Sequence, residues 1–160
     1  MTPAVIAERR RIAQEHGFTL IELLAVVLII GILAAIAIPT LTASRADAAD
    51  APAEALLRTA QIATETLAMD SGGTYASLKA ARLVDYEPTI VTAKSTSTPY
   101  LSTAKGTASG YTLTVTSPAT GDKFSLVRAV DGTVTRSCTI PQKTSPHGGC
   151  EDVQGTKGTW

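Results

Sequence analysis

Glu22 is a lone carboxylate set inside an apolar run. Gly17-Phe18-Thr19-Leu20-Ile21-Glu22-Leu23-Leu24 opens a stretch that continues to Leu41, and from Leu23 to Ile38 no side chain is polar or charged. An acid at the centre of a membrane helix costs about 2.5–3.5 kcal/mol, and less near the interface. The chemistry to expect of Glu22 is therefore charge pairing with a partner. The other reactive residues form no catalytic set. The two histidines are His16 and His147, and a Ser/His/Asp arrangement has no plausible base among them. His147 with Cys138 and Cys150 lacks the spacing of a zinc site. Asp70, Asp85, Asp122 and Asp131 are scattered, without the ligand spacing of a calcium loop. Gly72-Gly73 and Gly148-Gly149 read as turn glycines, not as phosphate cradles followed by Lys and Ser/Thr. No enzymatic activity, metal or cofactor is expected.

The elements that position Glu22 follow from periodicity. Phe18 to Ile38 spans 21 residues, roughly 31 Å as a helix at 1.5 Å per residue. That matches the roughly 30 Å hydrocarbon core of a bilayer. Gly31 and Pro39 interrupt the run as expected helix breaks, Pro39 because it removes a hydrogen bond and clashes with the preceding turn. Residues 44–70 continue as an amphipathic helix rich in Ala, Leu, Glu, Arg and Gln, with Leu56, Ala60, Ala63 and Leu67 as its apolar stripe. Ser71-Gly72-Gly73-Thr74 stops it. A short helix is expected over 76–83, within a linker covering 71–99. From Tyr100 the period changes to two. Tyr111, Leu113 and Val115 alternate with threonines, and 123–130 and 133–140 are further β-type runs. Pro118-Ala119-Thr120-Gly121 and Asp131-Gly132 mark the turns. The expectation over 100–140 is an antiparallel meander of three strands, with Leu101–Ala104 as a candidate fourth. A long helix followed by consecutive hairpins gives an α+β class, the sheet lying on the helix stripe.

Composition bounds the rest. The 160 residues suffice for one anchor and one small domain, and with two Phe, one Trp and four Tyr the core is modest. Net charge is zero, and the one basic cluster, Arg9-Arg10-Arg11, lies ahead of the apolar run. It directs the N-terminus to the cytoplasm and the C-terminal part across the membrane. No specific nucleic-acid site is evident. With that part outside the cytoplasm, Cys138 and Cys150, the only cysteines, can form a disulfide; two buried thiols or metal ligation are the alternatives.

Gly17-Phe18-Thr19-Leu20-Ile21-Glu22-Leu23 behind a short basic leader resembles the type IV pilin and pseudopilin family, with specific agreement from Gly17 to about Pro39. The resemblance implies that a prepilin peptidase cuts between Gly17 and Phe18 and that Phe18 is N-methylated. Residues 1–17 would be a removed leader, 18–42 the transmembrane and fibre-core helix, and 43–160 the globular head, with a disulfide loop over 138–150. Glu22 would become the assembly residue. In a staggered array it can neutralise the Phe18 amine of a neighbouring copy; such a buried pair adds little stability, but breaking it costs several kcal/mol, so it selects register. In the family the segment between the breaks at Gly31 and Pro39 can unwind on assembly. Removing the leader leaves eleven basic and twelve acidic residues.

The implied function is a structural subunit, a homopolymer through residues 18–42, stored in the lipid bilayer before assembly. Its implied partners are the peptidase, a membrane platform protein and a cytoplasmic assembly ATPase. Its location would be the cytoplasmic membrane as a single-pass protein, then an extracellular pilus or pseudopilus. A pseudopilin of a secretion or DNA-uptake system is one alternative, and a tethered binding domain that never polymerises is another. An ordinary signal peptide fits less well, because the Ala35-Ile36-Ala37 cleavage-like site lies inside the run.

Overall fold

A computed structural model of the chain describes residues 17–141 and 148–160. Residues 1–16, including His16 and the arginine triplet, and His147 lie outside the described residues. The chain divides into two compact units, residues 1–37 and 38–160. One helix, α1 (Leu20–Asp70), contributes to both.

In the first unit, the described part is the coil Gly17–Thr19 and the helical residues that follow it. Gly31 and Pro39, the expected breaks, both lie within the residue range of α1.

In the second unit, the buried face of α1 is Ala53, Leu57, Ala60, Ala63, Leu67 and Ala68. This shifts the expected stripe by one position near its start: Leu57 is fully buried, and Leu56 packs at the edge of the core. Both leucines fit helical spacing, and the choice is made by the sheet. Thr64 shares the buried face, and its hydroxyl donates to the Ala60 carbonyl at 2.7 Å. The helix ends as the paired glycines dictate. Gly73 N–H donates to Ala68 O at 2.7 Å and Gly72 N–H to Met69 O at 3.4 Å, with both glycines at positive φ. These are the two bonds of a Schellman end, which L residues with a Cβ adopt poorly.

The short helix α2 runs from Ala80 to Tyr86, later than the 76–83 expected, and buries Leu83. The linker after it is fixed by Ile90, which is buried, and by the Leu101 N–H to Val91 O bond of 2.8 Å.

The sheet is antiparallel with six strands, two or three more than expected. They are β1 (Tyr100–Gly106), β2 (Tyr111–Thr116), β3 (Lys123–Arg128), β4 (Val134–Thr139), β5 (Glu151–Gln154) and β6 (Lys157–Thr159), in the order β1-β2-β3-β4-β6-β5. The first four follow the meander. Leu113 faces Leu126 and Val115 faces Phe124 across the ladder, so the period-two apolar residues line one face. Asp131-Gly132 forms the β3–β4 turn, with Gly132 at φ 88° and the Asp131 carboxylate accepting from Thr133 N–H at 2.9 Å. The last two strands lack alternation: Glu151-Asp152-Val153-Gln154 and Lys157-Gly158-Thr159 hold one large apolar residue between them. Tertiary ties form them instead. Cys138 on β4 is bonded to Cys150, which leads into β5, and Ile140 N–H donates to Thr156 O at 2.9 Å. Trp160 closes the sheet, its ring T-shaped against Phe124 at 6.1 Å and its indole N–H donating to Ser125 O.

The disulfide closes a short loop, so its removal should relax the tail more than the meander. A Cys138→Ser, Cys150→Ser double variant should lose about 3 kcal/mol. This is checked by the shift in denaturant midpoint, with amide protection lost first over β5 and β6.

Candidate functional site

The site is built from the start of α1. Gly17 and Phe18 precede the helix as exposed coil, and Phe18 is 82% exposed. Thr19 is the residue immediately before α1. Its N–H and its hydroxyl both donate to Glu22 Oε2 at 2.8 Å, and Glu22 N–H donates to the Thr19 hydroxyl oxygen at 3.2 Å. This is a reciprocal capping box, which satisfies two donors that a helix N-terminus otherwise leaves open. The expectation of charge pairing alone leaves out this cap, although Thr19-Leu20-Ile21-Glu22 carries its Thr-x-x-Glu spacing.

The cap has a chemical consequence. Both Thr19 donors converge on Oε2, and among the described residues no donor is placed on Oε1. An ionised carboxylate has about four lone-pair directions. Glu22 can therefore cap its own helix and still accept a further donor or cation. A negative group in the first turn also lies at the positive end of the helix dipole.

Downstream, the apolar side chains from Leu20 to Leu41 have little covering them. Leu23, Leu24, Val27, Leu28, Ile29, Ile30, Ile32 and Leu33 are all exposed. The helix is long and apolar enough over this part to cross a membrane. Gly31 lies on it in open space, where a Cβ would meet nothing within 4 Å. The glycine is thus not required by close packing inside the chain.

The structure brings some of the expected site residues together and leaves others apart. Cys138 and Cys150 form the disulfide. Gly17, Phe18 and Glu22 are gathered at one helix end. Among the described residues no cluster of three or more His, Cys, Asp or Glu could hold a metal ion.

Two polar groups outside the N-terminal site hold the second unit together, and neither is apparent from spacing. Glu65 of α1 accepts from the Tyr75 hydroxyl at 2.7 Å and the Tyr111 hydroxyl at 2.8 Å, with Arg128 Nη1 at 3.8 Å. Burial first, and then the bond to Glu65, push the Tyr111 phenol above its usual range. The second group is the buried pair Asp50 and Asp122.

Residues 12–38 match the family model of the prokaryotic N-terminal methylation motif, the signal of type IV pilins and pseudopilins. The match spans the Gly17–Phe18 junction, Glu22 and the apolar run, and it stops before the sheet. No curated protein and no solved structure matches the chain.

The capping box makes a local prediction. Thr19→Ala should cost about 1 kcal/mol at the helix start, equivalent to about fivefold faster amide exchange. Exchange in detergent micelles should show this at the first turn of α1 and leave the sheet unchanged.

Proposed function

We propose that this chain is a prepilin-type structural subunit, cut after Gly17 and polymerised through its N-terminal helix. The observation that carries the reading is the match to the methylation motif over residues 12–38, a stretch that holds both Gly17-Phe18 and Glu22. The uncovered apolar residues of α1 support it, because they need lipid or other helices around them. The α+β head with its disulfide suits an extracytoplasmic compartment.

In this reading the Arg9-Arg10-Arg11 side stays in the cytoplasm and the second unit is translocated. The peptidase frees the Phe18 amine, which is then methylated. Inside a bundle of such helices that amine is a cation in an apolar medium. Glu22 of an adjacent copy supplies its counter-charge, and each pair forms only at one stagger. Helices already in lipid gain little from the hydrophobic effect on association, so tight packing and polar pairing decide it. Gly31, Ala34, Ala35 and Ala37 offer small contact surfaces for that packing. Work to extract the helix comes from a cytoplasmic ATPase acting through a platform protein. The same motif serves pseudopilins, so a short secretion-system fibre is the sister reading.

Mass spectrometry of the mature protein tests processing: a chain beginning at methylated Phe18 is expected, and an intact leader overturns the reading in favour of a plain tether. Electron microscopy of sheared surface material tests assembly. Glu22→Gln keeps a capping acceptor and loses the charge, whereas Glu22→Ala loses both. Both should reduce fibre yield at least tenfold, about 1.4 kcal/mol or more per docking step, with cleavage retained. Normal fibre yield from Glu22→Gln would show that capping, not charge pairing, is the role of this residue.

A further inference from the structure

Asp50 and Asp122 are two carboxyl groups buried side by side, 0% and 3% exposed, where three segments of the second unit meet. Asp50 lies on α1. Thr120 and Asp122 belong to the β2–β3 connection, and Gly148-Gly149 to the end of the disulfide loop. The Thr120 hydroxyl donates to Asp50 Oδ1 at 2.5 Å, and Gly149 N–H donates to Asp50 Oδ2 at 3.2 Å. Asp122 N–H in turn donates to the Thr120 hydroxyl oxygen at 3.2 Å, so the Thr120 hydroxyl links the two aspartates. Gly148 sits at φ 59°, and a Cβ there would collide with Asp50 Oδ2, so the approach of the loop to this carboxylate requires glycine.

Among the described residues neither aspartate takes part in an ion pair. The surrounding charges on α1 are Asp47 and Glu54, and on β5 Glu151; Glu54 itself feels Arg58, Asp50, Glu151 and Asp47, and its carboxyl is raised chiefly by burial. The nearest cation on that helix, Arg58, is 3.8 Å from Glu54. Lys123, next to Asp122, is exposed. Lys143 and His147 of the loop lie outside the described residues. Two buried carboxylates linked through one hydroxyl cannot both ionise without a large penalty, so one holds a proton.

We propose that Asp122 holds a proton beside Asp50, and that this proton is a pH-sensitive latch fastening the β2–β3 turn and the Gly148-Gly149 segment to α1. Burial first, and then the neighbouring Asp50, push the Asp122 carboxyl up to about 7. The sign follows from linkage. The folded state holds a proton that the unfolded chain releases near the ordinary aspartate value. Stability is therefore full below about pH 4 and is lost as pH rises through about 7. Above that point the two charges repel, and the turn and the Gly148-Gly149 segment separate from the helix. The head is closed in acid and loosened in base.

The test uses the full chain in detergent micelles. Trp160, the only tryptophan, borders a cleft with Asp47, Gly148 and Gly149 and reports on the loop. Denaturant unfolding followed by its fluorescence should show the folding constant falling by up to about tenfold per pH unit between pH ~4 and ~7. Asp122→Asn should flatten that slope and exceed the unmodified protein in midpoint at pH ~8. His147→Gln should retain the slope. A flat profile for the unmodified protein, the same slope in Asp122→Asn, or loss of the slope in His147→Gln overturns the proposal. If Asp122→Asn does not fold, infrared spectroscopy of the unmodified protein decides. A protonated carboxylic acid band that persists at pH ~6, where ordinary carboxyls are ionised, and is gone by pH ~8 supports the latch, and its absence at pH ~6 refutes it.

Discussion

The physical constraint beneath the whole molecule is that a long succession of apolar side chains at the start of α1 is exposed among the described residues. Apolar area left in water costs about 25 cal/mol per Å², so such a helix is stable only in a medium made of lipid tails or other helices. That requirement makes a polar group within the run consequential. It also explains why the capping box matters: in an apolar medium an open backbone N–H has no water to turn to. Thr19 and Glu22 close the first turn from within, and the carboxylate keeps an oxygen in reserve.

The second unit answers a different problem, attaching a helix of small residues to a sheet. Ala53, Ala60, Ala63 and Ala68 bury little area each, so close approach substitutes for bulk, with Leu57, Leu67 and Phe124 supplying volume. Polar ties add direction. Glu65 gathers two phenols, one from the turn after α1 and one from β2, and Arg128 lies beside it and 5.8 Å from the Tyr75 ring. Such a group fixes which residue of the helix faces which strand, a specification that smooth alanine surfaces cannot make alone.

Much of this was legible in the sequence because it is periodic or punctuated. The apolar run, the Gly72-Gly73 stop, the alternation at Tyr111–Val115 and the Asp131-Gly132 turn each carry a local cause. The match over residues 12–38 rests on the same stretch that carries Glu22. What was not legible is set by tertiary partners. Leu57 in place of Leu56, the later start of α2, and the pairing of β5 with β6 depend on which surface arrives opposite them. The tail has no apolar alternation, and its strands exist because the Cys138–Cys150 bond and the Ile140–Thr156 contact hold it against β4. Asp50 and Asp122 are ordinary helix-surface and turn residues by spacing, and burial alone distinguishes them.

The borders of the sheet carry one more consequence. At β1 the register slips between Leu101 and Thr103, and the backbone beside Leu101 is already engaged by Val91. At β5 the register slips between Glu151 and Gln154, where Asp152 turns through φ 49° in a charged, very short strand. Irregular, charged margins are poor templates for strand addition. Copies concentrated by a shared anchor can crowd shoulder to shoulder without knitting their sheets into one continuous fabric, so any order among them must come from elsewhere in the chain.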